Sequence, residues 1–241
     1  YSLFSQGFSV RQSVSSIAWL DQERHHVSVL AKRTVFSGNV FNTALRYGPG
    51  TAVIPGDPGR FDGSDYQVDL ATGGLSGSFL PVRTPTEEIL ATSARARQRL
   101  AVETEDGAVY ALNGLGVELL DLWYRDGDGA WFRFDRGLAD GERAELESSA
   151  PPSGQLLFGG VAAGARPWLF SEHQPLPSAP KLGHMPEELP RRCYLALLAE
   201  SPFLDDGGVE RTTVLQRHVL IGSLEEQRAH GCSSRLPMST W

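Results

Sequence analysis

Apolar residues in this chain recur at every second position, in short runs closed by glycine and aspartate. "HHVSVLAKR" places Val27, Val29 and Ala31 on one side of an extended chain, and "DYQVDLATG" does the same with Tyr66, Val68 and Leu70. "AVYALNGLG", "VELLDLWYR", "AWFRF", "RAELES", "CYLALLAES" and "RTTVLQRHVLIGS" follow the same rule. Alternation of period two is the signature of strands with one buried face. The intervening "YGPG", "PGDPGRFDG", "TEDG", "RDGDG", "LADGE" and "LDDGG" are turn sequences. The pattern predicts a mainly β protein: antiparallel β-sandwich or sandwiches of short strands, with one or two short helices.

The first helix is expected over "TPTEEILATSARARQ", where Thr84 is a candidate N-cap, Pro85 stands at the first helical position, and Glu87 follows three residues after the cap. A strand through Ile89 and Ala91 is the competing reading. The second is expected over "GSLEEQRAHG", with Ser223 and Glu226 as a capping box and Gly231 as the stop. Proline marks the joints. "SSAPPSG" suggests a boundary near residue 150, separating a β-sandwich domain at 1–150 from a second β-rich region at 151–241. Within the latter, residues 172–190 hold five prolines and favour extended, polyproline-like chain.

The stretch "LLDLWYRDGDGAWFRFDRGL" from Leu119 to Leu138 fixes its own register. A four-residue loop, Asp126 to Gly129, mixes charges into both faces of the hairpin, and a buried unpaired charge costs several kcal/mol. A three-residue loop of Gly127, Asp128 and Gly129 instead sets Tyr124 opposite Phe132 and Leu122 opposite Phe134, which gives one apolar face. The other face then alternates Trp123, Arg125, Trp131 and Arg133. These four are the candidate binding residues, either as a stiffened sheet face with cation–π contacts or as a stacking platform for a sugar or a partner's aromatic side chain. Calcium at Asp126 and Asp128 is disfavoured, since that ion takes six to eight oxygens.

Charge excludes further classes. A formal net charge of −7 across 241 residues, with no basic run longer than a dipeptide, argues against nucleic acid or anionic membrane as the main partner. No apolar run reaches the roughly 18 residues a spanning helix needs. No phosphate loop, nucleophile elbow, H-E-x-x-H or C-x-x-C motif occurs, so no catalytic residues, cofactor or metal site are assigned. Adjacent His25 and His26 point to opposite faces of a strand and do not share a metal. His173 and His184, with Glu187 or Glu188, and the loop carboxylates Asp62 and Asp65 could only build sites through a fold the sequence does not specify. Cys193 and Cys232 are an even pair and a candidate disulfide.

These features together suggest a non-catalytic, extracytoplasmic β module of a bacterial envelope, periplasmic or extracellular. It would be tethered to a membrane only through segments outside this chain, and would bind a protein partner through the Trp–Arg face and the proline-rich segment. A carbohydrate-binding module or glycoside hydrolase is the alternative, as is a soluble scaffold subunit. Two coplanar tryptophan rings in an open groove would favour the carbohydrate reading; rings buried beneath arginine would remove its platform.

Overall fold

A computed structural model describes residues 10–38, 44–55, 66–69, 74–77, 83–152, 189–205, 207–208 and 211–224. Fourteen strands and no helix occur among them: β1 (Val10–Asp21), β2 (His26–Ser37), β3 (Leu45–Arg46), β4 (Thr51–Pro55), β5 (Tyr66–Asp69), β6 (Gly74–Gly77), β7 (Thr86–Arg95), β8 (Arg99–Glu105), β9 (Ala108–Gly114), β10 (Leu119–Arg125), β11 (Trp131–Phe134), β12 (Arg143–Ser149), β13 (Cys193–Leu198) and β14 (Arg211–Ser223). Eleven form one sheet in the order β4-β7-β2-β1-β14-β13-β10-β11-β12-β9-β8; three form a small sheet, β3-β6-β5. All pairings are antiparallel except β1 with β14. The regions set apart at residue 150 meet in this sheet, since β13 and β14 lie between β10 and β1.

The large sheet turns a corner at β12. Residues Glu147 to Ser149 pair with β11, whereas Arg143 to Leu146 pair with β9. A strand that switches sheets in this way folds one layer over the other. The main core lies between the layers. It joins Ala18, Leu20, Val27 and Val29 to Leu100, Val109, Ala111 and Leu146, with Leu122, Tyr194, Ala196 and Leu220 beside them. A second cluster holds Val10, Ala31, Val35, Leu45, Tyr47, Val53, Leu75 and Leu90. The alternation expected for Val27, Val29 and Ala31 is present, and all three are buried.

The helix expected from Thr84 is not formed; the segment is β7. Its ten residues pair with β2 from Thr86 to Arg95, and Thr51 to Pro55 of β4 pair along its other edge. Thr86, Glu88 and Leu90 point inward, a period of two that a helix cannot provide. Capping signals act on a helix end only if the helix forms. Two flanking strands, with β-branched Thr86, Ile89 and Thr92, outweigh intrinsic helix preference. The helix expected from Ser223 falls almost wholly outside the described residues, with Ser223 itself ending β14.

Polar groups also enter the interior. Arg33 and Glu88, directly opposite across β2 and β7, approach to 3.8 Å with side chains 1% and 3% exposed. Arg33 Nη2 donates to the Asp205 carbonyl at 2.9 Å. Between the two apolar clusters, Ser16 and His218 share a hydrogen bond of 2.8 Å across β1 and β14. Burial pulls the His218 pKa down to about 4. The unfolded chain therefore binds the proton more readily, near pH 6.5. Stability from this group is fully present above about pH 6.5 and falls as the pH drops toward 4, by about 3 kcal/mol over that window. His218→Gln should remove this component; denaturant titrations of both proteins across the window, showing parallel curves, would contradict it.

Close packing is tightest at Gly222, which stands opposite fully buried Tyr194. A Cβ added there would lie 2.1 Å from the ring's Cζ, and the ring has nowhere to go. Gly222→Ala should destabilise by about 3 kcal/mol or more. A second change, Tyr194→Leu, should restore part of that loss, because the two residues share one space. Urea midpoints read both effects; a Gly222→Ala protein as stable as the parent would rule out this pairing.

Candidate functional site

The β10–β11 hairpin has the three-residue loop that its sequence specifies. Leu122 pairs with Phe134, Trp123 with Arg133, Tyr124 with Phe132, and Arg125 with Trp131. The turn closes through Asp126 N donating to the Ala130 carbonyl at 3.0 Å. Asp126 Oδ1 accepts from the backbone N–H of Asp128, Gly129 and Ala130 at 2.9, 2.7 and 2.8 Å. That carboxylate oxygen is the turn's own cap. Gly129 sits at φ +97°, a conformation open to glycine and strained for other residues. Leu122 and Tyr124 enter the main core, with Phe132 and Phe134 packed against it.

The other face carries the alternating tryptophans and arginines. The Arg133 guanidinium lies 4.8 Å from the Trp123 ring centre, and that of Arg125 lies 5.7 Å from Trp131. Arg133 also grips Asp121 with two bonds, Nε to Oδ1 at 3.0 Å and Nη2 to Oδ2 at 2.8 Å. Its guanidinium is held charged, first by that hydrogen-bonded carboxylate and then by the Asp121 and Asp135 charges. Neither ring is open: Trp123 is 4% exposed and Trp131 8%. Both belong to a third cluster with Leu189, Cys193, Leu195 and Val219.

The cover over this face includes the chain entering β13. Arg125 Nη1 donates to the Leu189 carbonyl, Arg191 Nη1 to Gly127 O at 3.2 Å, and Arg192 N to Asp126 O at 3.4 Å. Leu189 and Pro190 end the proline-rich segment, so the two expected readout surfaces touch each other inside one molecule. The rest of that segment lies outside the described residues, as do Asp62, Asp65, His173, His184 and Cys232. Cys193 is buried at the start of β13. Trp123 and Trp131 thus form no open groove, and the sugar-stacking platform loses its geometric basis. Ser16 and His218 are closed to any substrate, both being buried. Among the described residues, no three His, Cys, Asp or Glu side chains converge as a metal would require.

An open surface does exist on β14. Its partner β13 reaches only from Ser223 back to His218. Among the described residues, the stretch from Thr212 to Gln216 has its strand partners in β1, and no strand occupies the second edge there. A bulge falls here: Gln12 pairs with Thr213 and Ser13 with Leu215, which leaves Val214 unpaired. Val214 is 67% exposed and Leu215 48%. The sequence marked "RTTVLQRHVLIGS" as a strand but did not single out these two residues. The one hint was length: thirteen extended residues outrun the six of "CYLALL".

No protein-family model and no curated protein matches the chain. Among solved structures it is similar to the yeast delta-COP-I mu-homology domain, determined alone and complexed with a Dsl1 WxWxV peptide. Each is 8% identical, with a TM-score of 0.31, over 89% of this chain and 96% of that one. A likeness this remote assigns no partner or activity.

If Trp123 is a core residue, Trp123→Ala should cost about 3–5 kcal/mol of stability. A residue serving only as an exposed ligand platform would change stability by under about 0.5 kcal/mol. Chemical denaturation separates the two outcomes.

Proposed function

We propose that this chain is a non-catalytic protein-interaction module that takes an extended segment of a partner protein along the free edge of β14. Val214 and Leu215, both exposed on an edge that no other described strand occupies, carry the reading. An edge strand presents backbone N–H and C=O groups without ladder partners, which makes it a template for another strand. Main-chain bonds supply affinity in such strand addition, and apolar side chains on alternating faces supply selectivity. Thr212, Thr213 and Val214 are β-branched and hold the chain extended before a partner arrives. Native edges without a binding role are blunted by charge, proline, bulges or cover; here Thr212 to Gln216 carries no charge and no proline, and its one bulge leaves Val214 exposed.

An extracytoplasmic setting in a bacterial envelope, with tethering segments beyond this chain, belongs to the same proposal. It rests on the sequence features alone and is tested by fractionating cells that express the full-length gene.

The edge itself is tested by Val214→Lys with Leu215→Lys. Both side chains face solvent, so the pair should leave the unfolding midpoint within about 0.5 kcal/mol of the parent. A photo-crosslinker placed at Gln216 in the parent should yield a discrete protein adduct in the source cells, and the two lysines should abolish it. Equal adducts with and without the lysines would overturn the assignment.

A further inference from the structure

The β1–β2 turn and the β7–β8 connection come together around an open cleft of about 580 Å³. Its lining is Gln22, Arg24, His25, Arg95, Ala96, Arg97, Gln98 and Arg99: four arginines, a histidine, two amides and no carboxylate. For a chain of net charge −7, this is a local reversal of sign.

The cleft is built on fixed parts. Ala96 N donates to the His25 carbonyl at 2.9 Å and ties one turn to the other. Ala96 is buried in the main core. Gln22 is buried as well, donating to the Leu100 carbonyl at 3.2 Å and contacting the Tyr194 hydroxyl at 3.4 Å. Arg95, at the end of β7, and Arg99, at the start of β8, take their positions from those strands. Among the described residues Arg24 reaches Asp21, with 3.7 Å between Nε and Oδ2, while Arg95, Arg97 and Arg99 form no ion pair.

Like charges gathered within a Debye length of about 10 Å repel one another, and an anion seated among them relieves that cost. The guanidinium presents paired donors matched to oxyanions, and its weak hydration makes it easier to desolvate than an ammonium. The ligand's identity follows from what the cleft lacks. Ala96 is the one apolar residue of its lining, and much of the remaining wall is the aliphatic stems of arginine and glutamine, so the charged heads carry the selectivity. A phosphate group brings about 1.5 to 2 negative charges at neutral pH, where a carboxylate brings one. The volume suits a small molecule. A long polyanion would meet Glu103 and Glu105 further along β8, and Asp21 and Glu23 at the first turn.

We propose that this cleft is a binding site for a small ligand bearing two or more phosphate groups, held by Arg95, Arg97 and Arg99 with Arg24 at the rim. It is independent of the β14 edge, and either proposal can fail without the other.

Inorganic tripolyphosphate is the probe, titrated calorimetrically into the whole chain at low ionic strength. Saturable binding below about 1 mM is expected. The double variant Arg97→Ala/Arg99→Ala should weaken it at least about tenfold, while keeping the parent's unfolding midpoint. Arg136→Ala, an exposed arginine paired with Glu147 and outside the lining, should bind like the parent. Unsaturable binding, a double variant indistinguishable from the parent, or a glutamate peptide of matched charge binding more tightly than tripolyphosphate would each overturn the assignment.

Discussion

The position of β14 between β1 and β13 is what makes the large sheet continuous. On one side lie β4, β7, β2 and β1; on the other lie β13, β10, β11, β12, β9 and β8. Among the described strands the β14 ladders are what join them, and the rows facing inward from β14 and β13, Leu220 with Tyr194 and Ala196, sit in the main core. Burial on both faces is what β13 displays, and it reads as a nearly continuous apolar run, "CYLALL". The glycine at position 222 is the concession the sheet makes to the Tyr194 ring, whose burial pushes its hydroxyl pKa up.

Much of this architecture was legible because charge and period agree. The 119–138 hairpin is the clearest case: one register gathers Leu122, Tyr124, Phe132 and Phe134 on one face, and a shift by one residue puts an arginine or aspartate among them. The same logic failed at β7. There Glu88 occupies an inward position, and no local pattern reveals that Arg33, 55 residues earlier in the chain, stands opposite to neutralise it. A pattern with a charge on its buried face looks helical until the partner strand is known. β1 was silent for a related reason: Gln12 and Ser16 interrupt its inward row, Gln12 Nε2 donating to Thr213 Oγ1 and Ser16 hydrogen-bonding His218, both from the far end of the chain.

The candidate sites follow the same division. The Trp–Arg alternation was visible in the sequence, but its cover was not, because cover is a property of where Leu189 to Arg192 return in space. The arginine cleft was visible only as a spacing. Arg95, Arg97 and Arg99 alternate with neutral residues and form no basic run, and Arg24 lies some seventy positions upstream. Two tight turns had to meet before those charges became a site.

The β1–β14 ladder carries a consequence for synthesis. Gln12 and Thr213 are 201 positions apart, so the first strand leaves the ribosome long before its parallel neighbour exists. Closing so large a loop is entropically slow, and it comes late. Until then β1, paired with β2 alone, keeps its other edge bare and adhesive. A chaperone that shields the first twenty residues during translation would protect this molecule more than one acting on the finished chain.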